Sequence, residues 1–175
     1  INPKANEMMY DFYGFEDELY RFKYDIKSDE KLTTNLINIL QNDNINISID
    51  EKRVSFDHGV WTVLALMYKK LEIPVLQLSI PISYSISELI NLGEKLKIFK
   101  DEALIICSGS LTHNLGDISF ASNEKTYAKE FNEKVVNIVK NGNKEELINI
   151  SKDTNFYKNH PSSEHFLPLY IAFGN

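Results

Sequence analysis

Hydrophobic positions along this chain follow two rhythms. At helical spacing, Leu32, Leu36, Ile37 and Leu40 predict a helix over 29–41, with Ser28 or Asp29 able to cap its start. Val63, Leu64, Leu66 and Met67 continue the pattern behind Asp57, so a second helix is expected to run to about residue 70, with His58 in its first turn. Ser85-x-x-Glu88 reads as a capping box ahead of Leu89, Ile90, Gly93, Leu96 and Phe99. Tyr127, Phe131, Val135 and Ile138 mark a long helix over about 124–140 that Gly142 ends, and Asn143 caps a shorter one through Leu147 and Ile150. At strand rhythm, Ile45, Ile47 and Ile49 alternate with Asn46 and Ser48, the run 73–80 forms a second strand with Pro74 at its start, and Ala103-Leu104-Ile105-Ile106-Cys107 reads as a fully buried strand. Strand, helix and strand across 73–108 make a βαβ unit, whose strands should be parallel with a right-handed crossover.

The remaining stretches are less periodic. Residues 7–24 are rich in aromatic side chains, with a turn at Asp11-Phe12-Tyr13-Gly14-Phe15 and a short helix from about 16 to 21. Most of these rings are expected to pack over an edge of the core, and the competing reading is a wall for a flat aromatic ligand. Residues 116–123 are polar and irregular, and 151–161 form a polar loop. Ser162 can cap a last helix with His165 at its third position, and Pro168 inside that helix would remove a backbone bond and kink it. No repeat, low-complexity run or linker divides the chain, so 1–175 is expected to be a single domain.

Composition narrows the class. The chain has 175 residues, of which 43% are hydrophobic, enough for one sizeable core. A net charge of −6 with lysines interspersed among carboxylates gives no basic stripe and argues against a nucleic-acid partner. The single cysteine, Cys107, excludes an internal disulfide framework and points to a reducing compartment, the cytoplasm. Cys107 reads as a small core residue rather than a nucleophile, since no basic neighbour in sequence would lower its pKa. No apolar run approaches the roughly 20 residues that span a bilayer, and no signal peptide is expected.

The chemistry lies in the histidines. There are only four, His58, His113, His160 and His165, each at a helix start or beyond a strand end. A lone histidine after a strand is usually a surface or packing residue; four in such positions suggest a shared site. His113 follows the 103–107 run in Ser108-Gly109-Ser110-Leu111-Thr112-His113-Asn114-Leu115, where open α/β sheets hold their ligands. At a helix start, His58 is favoured as a neutral ring able to hydrogen-bond a substrate; a capping turn with an incidental histidine is an equal reading. There is no G-x-S-x-G elbow, no phosphate-cradling glycine loop and no paired cysteines. What remains is a site of imidazole and carboxylate, from His58, His113, His165 and Glu164 with His160 less expected, of the kind that suits non-haem Fe(II) or Zn(II).

Several segments occur in a shared order: Asp11-Phe12-Tyr13-Gly14-Phe15, Phe56-Asp57-His58-Gly59-Val60-Trp61, Val75-Leu76-Gln77-Leu78-Ser79, the 108–115 loop, and His160-Pro161-x-x-Glu164-His165-Phe166-Leu167-Pro168-Leu169. Together they closely resemble the LigB-like class III extradiol ring-cleaving dioxygenases, in the DOPA-dioxygenase-type branch. The resemblance implies an α/β three-layer sandwich with a mostly parallel central sheet flanked by helices. It implies a mononuclear metal, Fe(II) in active enzymes or Zn(II) in its place, and opening of a catechol-type ring with O2. By motif, His165 is similar to a metal ligand, His113 to the histidine beside the metal that serves as acid–base catalyst or extra ligand, and His58 to the histidine that binds a substrate hydroxyl or oxygen. His160 takes no role from the resemblance. The family's Ser-His-Gly-type and Ala-His-Trp-type motifs, which supply two metal-binding histidines, are not in the chain, and 1–175 is expected to be a catalytic domain lacking its N-terminal strands and C-terminal end. A sheet so shortened would expose an edge that favours association, which leaves homo-oligomers open. The alternative function is a non-catalytic, Memo-like interaction protein on the same fold. A zinc-dependent hydrolase comes last, since nothing supplies a nucleophile.

Overall fold

The computed structural model describes residues 1–119 and 124–175. They are a mixture of helices and one small parallel sheet, in two compact units, Ile1–Ser79 and Ile80–Asn175. Among the described residues, no helix is long and apolar enough to cross a membrane.

The first unit holds β1 (Glu7–Met8), α1 (Asp17–Arg21), α2 (Glu30–Asn42), β2 (Ser55–Phe56) and α3 (His58–Met67). β1 and β2 pair in parallel, Glu7 against Ser55 and Met8 against Phe56, and Met9 N–H continues the contact to the Phe56 carbonyl at 2.8 Å. Asp29 caps α2 by accepting from Leu32 N–H, and Leu36, Ile37 and Leu40 face inward, while Leu32 is left exposed. Ala5, Ile26, Phe56, Trp61 and Leu64 form the core of this unit. Trp61 is its anchor: Tyr10, Phe12 and Phe22 surround the indole with centroids 5.6–6.0 Å away, and its Nε1–H donates to the Met9 carbonyl at 2.8 Å. Most of the aromatic stretch is therefore packing, as expected; Tyr13 and Phe15 stand out in solvent.

The second unit holds α4 (Ile86–Leu96), α5 (Thr126–Lys140), α6 (Lys144–Ile148), α7 (Phe156–Asn159) and α8 (Leu167–Gly174). The Ser85–Glu88 capping box starts α4 as the sequence predicts, and Asn143 caps α6 by accepting from Glu146 N–H. α4 and α8 cross at glycines. A Cβ built on Gly93 would lie 2.0 Å from the Ile171 carbonyl oxygen, and one on Gly174 would lie 2.0 Å from that of Ile90. Leu89, Ile90, Phe131, Val135, Leu147, Ile150, Phe156, Phe166 and Tyr170 are buried here, each contributing roughly 1.5–3 kcal/mol when fully removed from water.

Several expectations are corrected. The segments 45–49, 73–80 and 103–107 form no ladder among the described residues; β1–β2 is the only one, and neither of its strands carries an alternating pattern. The reason is physical: apolar periodicity encodes which residues need cover, whereas a strand also needs a partner with matching free N–H and C=O groups. The 45–49 segment does keep its alternation of half-buried and exposed residues down to Ser48. Leu104 and Ile106 of the segment read as fully buried are 64% and 39% exposed. The βαβ unit is thus represented only by its helix, α4, and what stands of the sandwich is the mixed helix-and-sheet character with a small parallel sheet. The 151–161 loop contains a 3-10 turn at Ile150–Lys152 and α7. Ser162 caps nothing: α8 starts at Leu167, so Pro168 falls in the first turn, where no backbone bond is lost, and His165 precedes the helix. Of the irregular 116–123 stretch, a 3-10 turn occupies Leu115–Asp117, and 120–123 lie outside the described residues.

Candidate functional site

In the second unit the polypeptide brings two of the four histidines face to face. The His113 and His165 rings stack with centroids 3.5 Å apart and an interplanar angle of 15°. Neither ring sits on a helix or strand, so their placement depends on how two loops are tied together. Ser110 N–H donates to the His165 carbonyl at 2.9 Å, and His113 N–H donates to the Asn159 carbonyl at 2.8 Å. Thr112 Oγ1 donates to Asn159 Oδ1 at 2.8 Å, and Asn114 Nδ2 donates to the Lys158 carbonyl at 2.7 Å. Gly109 is required where the loops approach: a Cβ there would meet the His165 carbonyl oxygen at 2.6 Å.

His160 supplies another tie, from inside. It is fully buried, among the rings of Phe131, Phe156 and Phe166. Its Nε2 lies 2.9 Å from the Leu111 carbonyl. A carbonyl only accepts, so Nε2 carries the hydrogen and Nδ1, which faces no hydrogen-bond partner, is bare. Burial pushes the His160 imidazole below its ordinary pKa, opposed by the Leu111 bond, so burial favours the neutral ring. Cys107, half-buried, has its thiol pushed up by desolvation, as befits a packing residue.

Glu164 is exposed, and its carboxyl is held below the usual range, first by its own backbone N–H and then by the Ser162 hydroxyl. Among the described residues, no group of three or more histidine, cysteine or acidic side chains is arranged to hold a metal ion.

His58 belongs to the first unit, as the first residue of α3. Its Nδ1 lies 2.6 Å from Asp11 Oδ1, which also accepts from the His58 backbone N–H at 3.3 Å. The Asp57 side chain, at the N-cap position of α3, makes no capping bond and instead takes Gln77 Nε2 at 2.8 Å and Arg53 at 3.2 Å. Partial burial raises the Asp11 pKa, but the hydrogen bonds from His58 outweigh it and leave the carboxyl below its ordinary value. The sequence puts Asp11 in a turn and in a segment of the family resemblance but gives it no role, and its partner lies 47 residues away, beyond the reach of any local pattern. Asn159 was equally hidden; the only cue was an amide residue beside the His160-Pro161 pair.

Residues 2–175 match the family described as the catalytic LigB subunit of aromatic ring-opening dioxygenase. The chain is 35% identical over 172 residues to a 4,5-DOPA dioxygenase extradiol of Beta vulgaris, covering 97% of this chain and 64% of that protein. It is 33% identical over 172 residues to a protein of the same name from Escherichia coli K12, covering 95% of this chain and 63% of the relative. A 4,5-DOPA dioxygenase extradiol-like protein of Schizosaccharomyces pombe is 31% identical over 177 residues, with 59% of its length covered. The chain thus spans less than two thirds of the length of these relatives. A crystal structure of an uncharacterized protein from Escherichia coli K12 superposes with a TM-score of 0.76 at 27% identity, over 97% of this chain and 67% of the other.

Proposed function

Because the chain belongs to the family of the catalytic LigB subunit of aromatic ring-opening dioxygenases, we propose that it works in a metal-dependent extradiol dioxygenase that opens a catechol-type ring with O2. The observation that carries this reading is the contact of His113 and His165, two metal-competent imidazoles in van der Waals contact within a chain matched over nearly its whole length. Relatives named for action on 4,5-DOPA make a catechol the first substrate to test.

The donor type fits Fe(II) or Zn(II), both of which accept imidazole. Two imidazoles are fewer protein donors than the three usual in a catalytic site, so His165 and His113 fit as part of a ligand set. Bound there, the metal supplies Lewis acidity and a template for the phenolic oxygens and O2. His113 takes part either as a further ligand or as the acid–base catalyst for the loss of catechol protons. His58 binds a substrate hydroxyl or oxygen. Residues 1–175 act as one catalytic domain, and the half-buried single thiol is consistent with a cytoplasmic setting.

The test is oxygen uptake by the full-length protein, loaded anaerobically with Fe(II), on addition of a catechol such as DOPA. Uptake with a yellow ring-opened product, lost in His113→Ala, supports the dioxygenase. No uptake across several catechols with one iron bound per chain favours the Memo-like binding protein.

A further inference from the structure

Resting on the dioxygenase reading and deepening it, we propose that Asp11 is the positioning residue of His58: its carboxylate fixes the ring in the Nδ1–H tautomer, so that Nε2 is the atom that takes a proton from a dihydric phenol. An ionised carboxylate has no hydrogen to give, so the 2.6 Å contact to Asp11 Oδ1 requires the hydrogen on His58 Nδ1. In the neutral ring, Nε2 is then a bare acceptor.

The ring is held on more than one side. Oδ1 also accepts from the His58 backbone N–H, which ties the carboxylate to the same residue twice. The Phe12 ring meets the imidazole edge-on with centroids 5.6 Å apart. The other charged groups at this helix start, Asp57 and Arg53, are engaged with each other at 3.2 Å. The His58 side chain remains 46% exposed, open to a ligand. An exposed pair of this kind adds only about 0–1 kcal/mol to stability, so fold stability alone gives little reason to orient a half-open imidazole so completely. A carboxylate that orients an imidazole for proton transfer gives one.

The step balances without a redox partner. The phenolic O–H bond breaks, oxygen keeps the electron pair, and the proton forms a bond to the Nε2 lone pair. The resulting imidazolium faces the Asp11 carboxylate, which stabilises it without itself being protonated.

The experiment uses the full-length protein labelled with 15N-histidine, read by long-range 1H–15N correlation, alongside steady-state kinetics with catechol. The expected wild-type spectrum shows His58 protonated at Nδ1 and bare at Nε2. Asp11→Asn, whose amide can donate to Nδ1, moves His58 toward the Nε2–H form and lowers kcat/KM at least tenfold, mostly in kcat. Asp11→Glu regains part of that loss, and Asp11→Asn costs nothing further in a His58→Ala background. A wild-type His58 already protonated at Nε2, an unchanged tautomer in Asp11→Asn, or losses that simply add to those of His58→Ala would overturn the proposal. A catechol-silent wild type would instead overturn the dioxygenase reading, while the tautomer spectra still decide whether Asp11 sets the ring.

Discussion

At the scale of residues, the second unit's histidine pair depends on side chains that are not themselves reactive. Asn159 is fully buried, accepts from Thr112 Oγ1 and donates to the Asn155 carbonyl at 2.8 Å. Asn159→Ala leaves those buried groups unsatisfied, and unfolding in urea should show a loss of about 1–3 kcal/mol. The reactive residue types were legible in the sequence because histidine is scarce here and sits in short conspicuous segments. Their supports, Asn159 and Asp11, were not, because each acts on a residue distant along the chain and neither belongs to a periodic pattern. His58 also shows a limit of local reasoning: the sequence places it at a helix start, but the carboxylate its ring meets, Asp11, lies 47 residues away.

At the scale of elements, caps and helix faces were the most readable features. α2, α4 and α6 start where their cap residues predict, since capping is a contact over three residues and the sequence displays it directly. Ser85→Ala should cost about 1 kcal/mol. Gly93→Ala should cost more, at the upper end of or beyond the 1–3 kcal/mol usual for overpacking, because the atom in the way is a backbone oxygen of α8 that a rotamer change cannot move. Thermal melts followed by circular dichroism would rank the two. Strands were the least readable. The 73–80 segment has a backbone bond from Val75 N–H to the Lys27 carbonyl at 2.9 Å in place of a ladder. Its hydrophobicity is real, but the pairing partner of a strand is not written in the strand itself.

At the scale of the whole molecule, two consequences follow. The apolar residues Ile73, Leu104 and Ile106 are exposed, and so are Leu66 and Ile82. Leu104→Lys should therefore change the unfolding midpoint little, within about 0.5 kcal/mol, yet raise the concentration at which light scattering first reports aggregates of the chain. The second consequence concerns acid. Asp11 and Asp153 have folded-state pKa values below their ordinary ones, Asp153 chiefly through its hydrogen bond from Lys134. Each contributes stability above its unfolded value near 4 and loses it as pH falls through the folded value. His160 adds an earlier limb: its folded pKa is depressed below 6.5, so the unfolded chain takes up the proton first and stability declines as pH drops below about 6.5. Melting temperature against pH should show both limbs. His160→Gln, which keeps a donor for the Leu111 carbonyl but cannot titrate, should flatten the first and leave the second.

The bonds from Ser110 to the His165 carbonyl and from His113 to the Asn159 carbonyl also carry a kinetic corollary. Amides outside helices and ladders usually trade their hydrogen for deuterium quickly, because small local openings free them. These two should behave like amides of a helix interior, since releasing either means parting two loops that Asn159 and His160 clamp from within. In a hydrogen-exchange experiment resolved to single amides, Ser110 and His113 should stay protected after the exposed ends of α5 have exchanged, and Asn159→Ala should release both together. The loop that presents His113 would then count, in the time domain, as part of the core.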